Sequence, residues 1–233
     1  MLSNAKLVAF LFSVFLLSAQ TAFALPKSVQ AEYLLTRNGK PVAKVKENFS
    51  QNGKTYSIKS STKGTGIYAL MGERKLISTG SVTKDGLKPS HFESLQGRDD
   101  NKSLIAEFDW GKSTLNMQVK GEPRTENLSA GTQDLASYAY QFMFNPPKKD
   151  AIKVTLTTGK RLNVYEYKVM ARGLKINAAK KNYKTVHISN QGDAADDQKQ
   201  LWLAEDLYYL PVRYLLKDDD GDFEQTLTKI HVE

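Results

Sequence analysis

Leu104-Ile105-Ala106-Glu107-Phe108-Asp109-Trp110, followed by Leu115-Asn116-Met117-Gln118-Val119-Lys120, sets the fold class. In the first run Leu104, Ala106, Phe108 and Trp110 share one face and Glu107 and Asp109 the other, with Ile105 as the exception. In the second run the alternation is strict. A period of two with one apolar and one wet side is the pattern of a half-buried antiparallel sheet.

On both sides of this pair the same pattern repeats. Asn38-Gly39, Asn52-Gly53 and Asp85-Gly86 are dipeptides that supply positive φ in tight hairpins. Between and after them lie strand-length runs at 42–50, 55–63, 75–84 and 88–96, rich in β-branched and aromatic residues. A polar loop follows at 98–102. In the second half, strands are expected at 152–158, 161–171, 174–178, 183–189, 200–204, 212–217 and 223–232, with a polar loop at 190–197. The total is about a dozen strands. One sheet of that length curls or closes instead of staying flat. The expected fold is mainly β: a strongly curved antiparallel sheet or partly open β-barrel. A two-sheet sandwich is the rival architecture.

The period changes once, over Gln133–Phe144. Asp134, Ser137, Gln141 and Asn145 fall three or four apart and form a narrow polar stripe. Leu135, Tyr138, Ala139, Phe142 and Met143 form a broad apolar face. This spacing predicts one amphipathic helix of about three turns, capped by Thr132 and stopped by Pro146-Pro147, packed on the concave side of the sheet.

The amino terminus has the layout of a secretory signal peptide. Lys6 precedes an apolar run at 7–17, far shorter than the roughly 20 residues of a spanning helix. Ala22 and Ala24 supply the small residues of a cleavage site, which places the cut before Leu25. Residues 1–24 are thus expected to be removed, leaving 25–233 as a single soluble domain in the periplasm, with no anchor. The chain has no cysteine, which excludes disulfides, thiol catalysis and cysteine-ligated zinc. Its formal net charge is +8, one unit of which belongs to Lys6. The remaining basic residues are scattered, as in an ordinary solubilising surface.

Catalytic motifs are weak. His91, His187 and His231 sit in expected strands, outside local metal-ligand spacing of one another. Ser60/Lys63 and Ser81/Lys84 match a Ser-x-x-Lys spacing but lack its companion motifs. Asp218, Asp220 and Asp222 alternate as in a calcium loop, yet Gly221 is misplaced and Lys229 occupies the closing position. Glu107 and Asp109 share a wet strand face, where acid pairs are commonplace. These residues imply no cofactor and no metal. Export argues against nucleic acid as a partner, so Tyr165, Tyr167, Tyr208 and Tyr209 read as sheet packing or groove lining. Gly64-Thr65-Gly66 lacks a phosphate-loop context, but it opens an apolar connection, Ile67-Tyr68-Ala69-Leu70-Met71, suited to a lid or a core loop.

Leu201-Trp202-Leu203-Ala204-Glu205-Asp206, Leu210-Pro211-Val212-Arg213 and Phe223-Glu224-Gln225-Thr226-Leu227, with 33–42, 80–91 and 131–147, resemble an exported bacterial family known as domain of unknown function 3108. The Trp-Leu … Leu-Pro-Val-Arg hairpin is also similar, at the level of fold, to one in the periplasmic lipoprotein carriers. That second resemblance implies a curved, unclosed sheet holding acyl chains.

Three functions follow as expectations. The first is non-catalytic binding of a lipid or other apolar ligand in a cavity lined by Ile67, Tyr68, Leu70, Met71, Trp110, Tyr138, Phe142 and Met143. The second is a structural or protein-interaction module of the cell envelope with a filled core. The third is a hydrolase with a spatially assembled site.

Overall fold

The computed structural model describes residues 25–97, 103–119, 121–190 and 198–233. The expected signal peptide with Ala22 and Ala24, the loop 98–102 and residues 191–197 lie outside the described residues. Leu25 begins the described chain and is exposed.

Fifteen strands form one sheet. The first eight are β1 (Ser28–Arg37), β2 (Lys40–Asn52), β3 (Thr55–Gly64), β4 (Glu73–Thr83), β5 (Gly86–Gln96), β6 (Leu104–Asp109), β7 (Thr114–Val119) and β8 (Glu122–Asn127). The rest are β9 (Gln133–Asp134), β10 (Ala151–Thr157), β11 (Leu162–Ala178), β12 (Lys181–Asn190), β13 (Gln198–Ala204), β14 (Leu210–Asp218) and β15 (Gly221–Val232). The order runs from β8 back through β1, then across to β15 and back through β9. It is thus two meanders joined where β1 pairs antiparallel with β15. The expected strands at 161–171 and 174–178 are one strand, β11, which two bulges bend without breaking. Further bulges between Glu32 and Tyr33, Thr79 and Gly80, and Trp202 and Leu203 add curvature to the sheet.

The sheet curls far enough for its two arms to meet, but side chains make the seam. Thr157 Oγ1 at the end of β10 lies 3.4 Å from Met117 Sδ on β7. The turn after β10 rests on β5 and β6. A Cβ at Gly159 (φ +80) would sit 3.0 Å from Leu104 Cβ and 3.1 Å from Phe92 Cε1, so this turn requires glycine. The edges β8 and β9 are not joined by a backbone ladder. The result is a partly open barrel whose inward residues, such as Val29, Phe49, Ile58, Phe92, Leu115 and Ile188, are fully buried.

The amphipathic segment departs from expectation in form. Only Gln141–Phe144 is α-helix (α1). Gln133 and Asp134 form β9, pairing in parallel with Leu156 and Thr157, and turns occupy 135–140. A regular helix loses here because the polar stripe bonds to the barrel wall. Asp134 is fully buried, and its Oδ2 accepts from Ser78 Oγ at 2.6 Å. Its Oδ1 accepts from the backbone N–H of Ala136 and Ser137, both at 2.9 Å. Asp134 thus holds the turn at the start of the segment, where Thr132 was expected to cap a helix, while Thr132 Oγ1 donates to Ser129 O. Gln141 spans the Asp85-Gly86 turn: Leu87 N donates to its Oε1 at 2.7 Å, and its Nε2 donates to Asp85 O at 2.9 Å. Asn145 Nδ2 donates to the same carbonyl at 2.8 Å. A Cβ at Gly86 (φ +97) would overlap the Gln141 amide at 2.4 Å, so glycine there makes room for the clamp.

Burial raises the Asp134 pKa to about 6, against the pull of its hydrogen bonds. Ionised Asp134 therefore costs stability. The favourable protonated state is complete below about pH 4, and its advantage, about 3 kcal/mol, is lost as pH rises towards 6. Asp134→Asn keeps an acceptor for the two backbone N–H groups and should remove this pH dependence from the urea midpoint. Asp134→Ala strands Ser78 Oγ and both N–H donors and should cost about 3 kcal/mol in the same measurement.

Candidate functional site

The 133–145 segment does not fill the barrel. A cavity of about 500 Å³ remains between Leu135, Ala136, Tyr138 and Ala139 on one side and the wall on the other. Strands from both arms build that wall: Tyr33 and Leu35 from β1, Val45 and Glu47 from β2, Ser60 and Thr62 from β3, and Arg74 and Leu76 from β4. Leu201, Tyr214, Leu216, Phe223 and Gln225 complete it from β13, β14 and β15. Residues two apart on one strand face the same side, so ladder pairs continue around the cavity: Glu47 opposite Ser60, Ser60 opposite Leu76, and Tyr214 opposite Leu201. The volume lies within the roughly 300–1,000 Å³ of small-molecule sites.

The inner end is a tyrosine and carboxylate cluster. Tyr140 Oη donates to Glu47 Oε2 at 3.2 Å, and Ser60 Oγ donates to its Oε1 at 3.5 Å. Burial raises the Glu47 pKa despite both bonds. Tyr33 donates to Pro211 O at 3.2 Å, and burial followed by the nearby Glu47 charge pushes its hydroxyl well above the ordinary value. Burial does the same to Tyr138, which hydrogen-bonds with Tyr214. These hydroxyls stay protonated, so they serve as hydrogen-bonding groups and not as bases.

The outer end carries charge. Arg74, Arg161 and Lys199 line it, with Asp218 as the acidic counterpart. Lys199 Nζ lies over the Tyr165 ring at 4.5 Å from the centroid. Arg74 belongs to the last β3–β4 pairs before the 65–72 connection, opposite Thr62.

Among the described residues expected to line a pocket, Tyr138 lines this cavity, and Ile67, Tyr68, Leu70, Trp110, Phe142 and Met143 do not. Phe142 packs with Leu156, Tyr165 and Tyr167, and Met143 packs with Phe49 and Tyr140, both in solid core. Trp110 stacks on Phe108 at 6.0 Å and donates from Nε1 to Pro89 O at 2.6 Å, also away from the cavity. Gly66–Met71 is a 3-10 helix on which Ile67 and Leu70 are 79% and 91% exposed and Tyr68 is half-buried. It neither plugs the cavity nor joins the core, and the Met71 side chain lies outside the described set. Sequence reading missed the polar members, above all Glu47 and Arg74. The available signal was alternation: Val45, Glu47 and Phe49 share a strand face, which puts a carboxylate on the apolar side.

The remaining chemical candidates stay apart. His91 Nδ1 pairs with Glu107 Oε1 at 2.6 Å on the outer face. His187 stacks on Trp202 at 4.3 Å and contacts Gln200. His231 meets Glu233 near the carboxyl end. Asp218 Oδ1 accepts from Asp220 N within its hairpin turn. Among the described residues no three His, Asp or Glu side chains converge as a metal site would require.

The family model described as a protein of unknown function, DUF3108, matches residues 32–228. The chain belongs to that family. The DUF3108 domain therefore spans every strand that builds the cavity. No curated protein matches the chain. Among solved structures it is similar to the crystal structure of a beta-barrel-like protein of domain of unknown function DUF1849 from Brucella abortus, with a TM-score of 0.60 and 12% identity. That match covers 90% of this chain and 98% of the other. At this identity the likeness concerns the fold, and it places this DUF3108 chain among barrel-like proteins.

Because ionised Glu47 is disfavoured by burial, Glu47→Gln should raise the urea midpoint at about pH 8. At about pH 3, below the unfolded carboxyl's pKa, where the group is protonated folded and unfolded, the gain should vanish. Denaturation curves at the two pH values test this.

Proposed function

We propose that this protein is exported to the periplasm and there binds, without catalysis, a small amphiphile with an apolar tail in the barrel cavity. The observation that carries this reading is the cavity itself: the 133–145 segment is clamped to one wall and leaves about 500 Å³ beside it. Its deeper lining mixes leucine, alanine and tyrosine rings with a few fixed hydroxyls, the usual make-up of a site for an apolar ligand. The expected leader at 1–24 supports the location. Burying about ten methylenes of an acyl chain contributes about 8 kcal/mol. That corresponds to roughly micromolar affinity before the cost of ordering the chain.

A second reading, an interaction module of the cell envelope, rests on the exposure of Ile67 and Leu70. Two open apolar side chains on one short helix form a small contiguous patch, the kind of feature a partner covers.

Native mass spectrometry of the protein purified gently from the periplasm, followed by solvent extraction, separates the two. The binding reading expects a mass excess that releases an amphiphile. It also expects that excess to disappear in Ala139→Trp, whose ring would occupy the void, while the thermal midpoint stays within a few degrees of the parent. A bare polypeptide mass that added lipids leave unchanged contradicts it.

A further inference from the structure

The outer end of the cavity carries more positive than negative charge, and one of its cations is uncompensated. Lys199 is itself buried and its ammonium sits on the Tyr165 ring. Arg161 also has its own partner. Arg74 differs: among the described residues it makes no ion pair and no side-chain hydrogen bond, and burial alone, with no neighbouring charge, lowers its pKa. Its side chain nevertheless remains accessible where it lines the cavity. A guanidinium that is exposed at the rim of a void and lacks a carboxylate is an unfilled bidentate donor. Around Glu47 the void is lined by hydroxyls and a carboxyl group, which offer an anionic head no guanidinium. The two ends thus impose a direction on any amphiphile.

We propose that the ligand is an anionic amphiphile, bound with its carboxylate or phosphate head on Arg74 at the outer end and its tail running past Leu76 and Leu201 towards Tyr138. This rests on the cavity reading above and adds the head-group class and the polarity of binding. Carboxylate and phosphate share the required chemistry: planar or near-planar pairs of oxygens that accept two parallel N–H bonds. A neutral head leaves the guanidinium unpaired, and a cationic head meets like charge.

Displacement of the neutral dye Nile red from the purified protein provides the test, with decanoate, decyl phosphate, decanol and decyltrimethylammonium as competitors. Decanoate or decyl phosphate should compete about tenfold better than decanol, and the better of the two identifies the head. Arg74→Gln should abolish that preference while decanol competes as before, and Arg74→Lys should keep most of it. Equal competition by decanol and decanoate, or a preference that survives Arg74→Gln, overturns the head-group assignment and leaves the cavity reading standing. Failure of every competitor, or of the dye to bind, overturns both.

Discussion

The buried carboxylate of Asp134 is the interaction on which the architecture turns. It holds Ser78 on the wall with one oxygen and two backbone N–H groups of its own segment with the other. Tyr56 extends the network by its bond to Ser78 at 3.0 Å. A carboxylate with no solvent contact is costly unless its lone pairs are filled, and here donors from two separate parts of the chain fill them. The segment is thereby fixed against β3, β4 and β5. Had it settled centrally, the barrel would be solid. Clamped to one side, it leaves a void between itself and strands β1–β4 and β13–β15.

Two consequences follow from that asymmetry. The stripe Asp134, Ser137, Gln141 and Asn145 is not a solvated helix face: Asp134 and Ser137 are buried, and its members bond to the wall or to one another. The apolar residues divide in turn. Phe142 and Met143 complete the solid core, whereas Tyr138 and Ala139 face the void. The seam of the barrel follows the same logic. Side-chain contacts at Thr157, Met117 and Gly159 close it without a strand ladder, so the wall has no continuous backbone hydrogen bonding at that point.

Much of this was legible in the sequence. Asn-Gly and Asp-Gly turns and the strict alternation at 115–120 led to the sheet, and the excess of strands over what an open sheet tolerates led to the curled barrel. The segment at 133–145 was legible as apolar on a broad face, but its conformation was not. Periodicity reports which residues share a side, and a clamped run of turns can share sides as a helix does. The cavity residues were legible least. Large apolar side chains such as Trp110 and Phe142 are chosen by core and pocket alike, so size could not separate them. Glu47 and Arg74 carry the distinguishing information because they occupy inward strand positions that a solid core would give to apolar residues. Ile67 and Leu70 read as a lid or a core loop from composition, yet the short 3-10 helix between Gly66 and Gly72 turns them outward.

The account stands or falls on whether an amphiphile occupies the void in one orientation. Anomalous diffraction from crystals grown with dodecanoate carrying a terminal bromine locates the tail directly. A bromine peak inside the barrel near Tyr138 and Leu201, with the carboxylate on Arg74, is the expected result. A peak beside Arg74, a peak on the outer surface at Ile67 and Leu70, or an undisturbed empty cavity would contradict it.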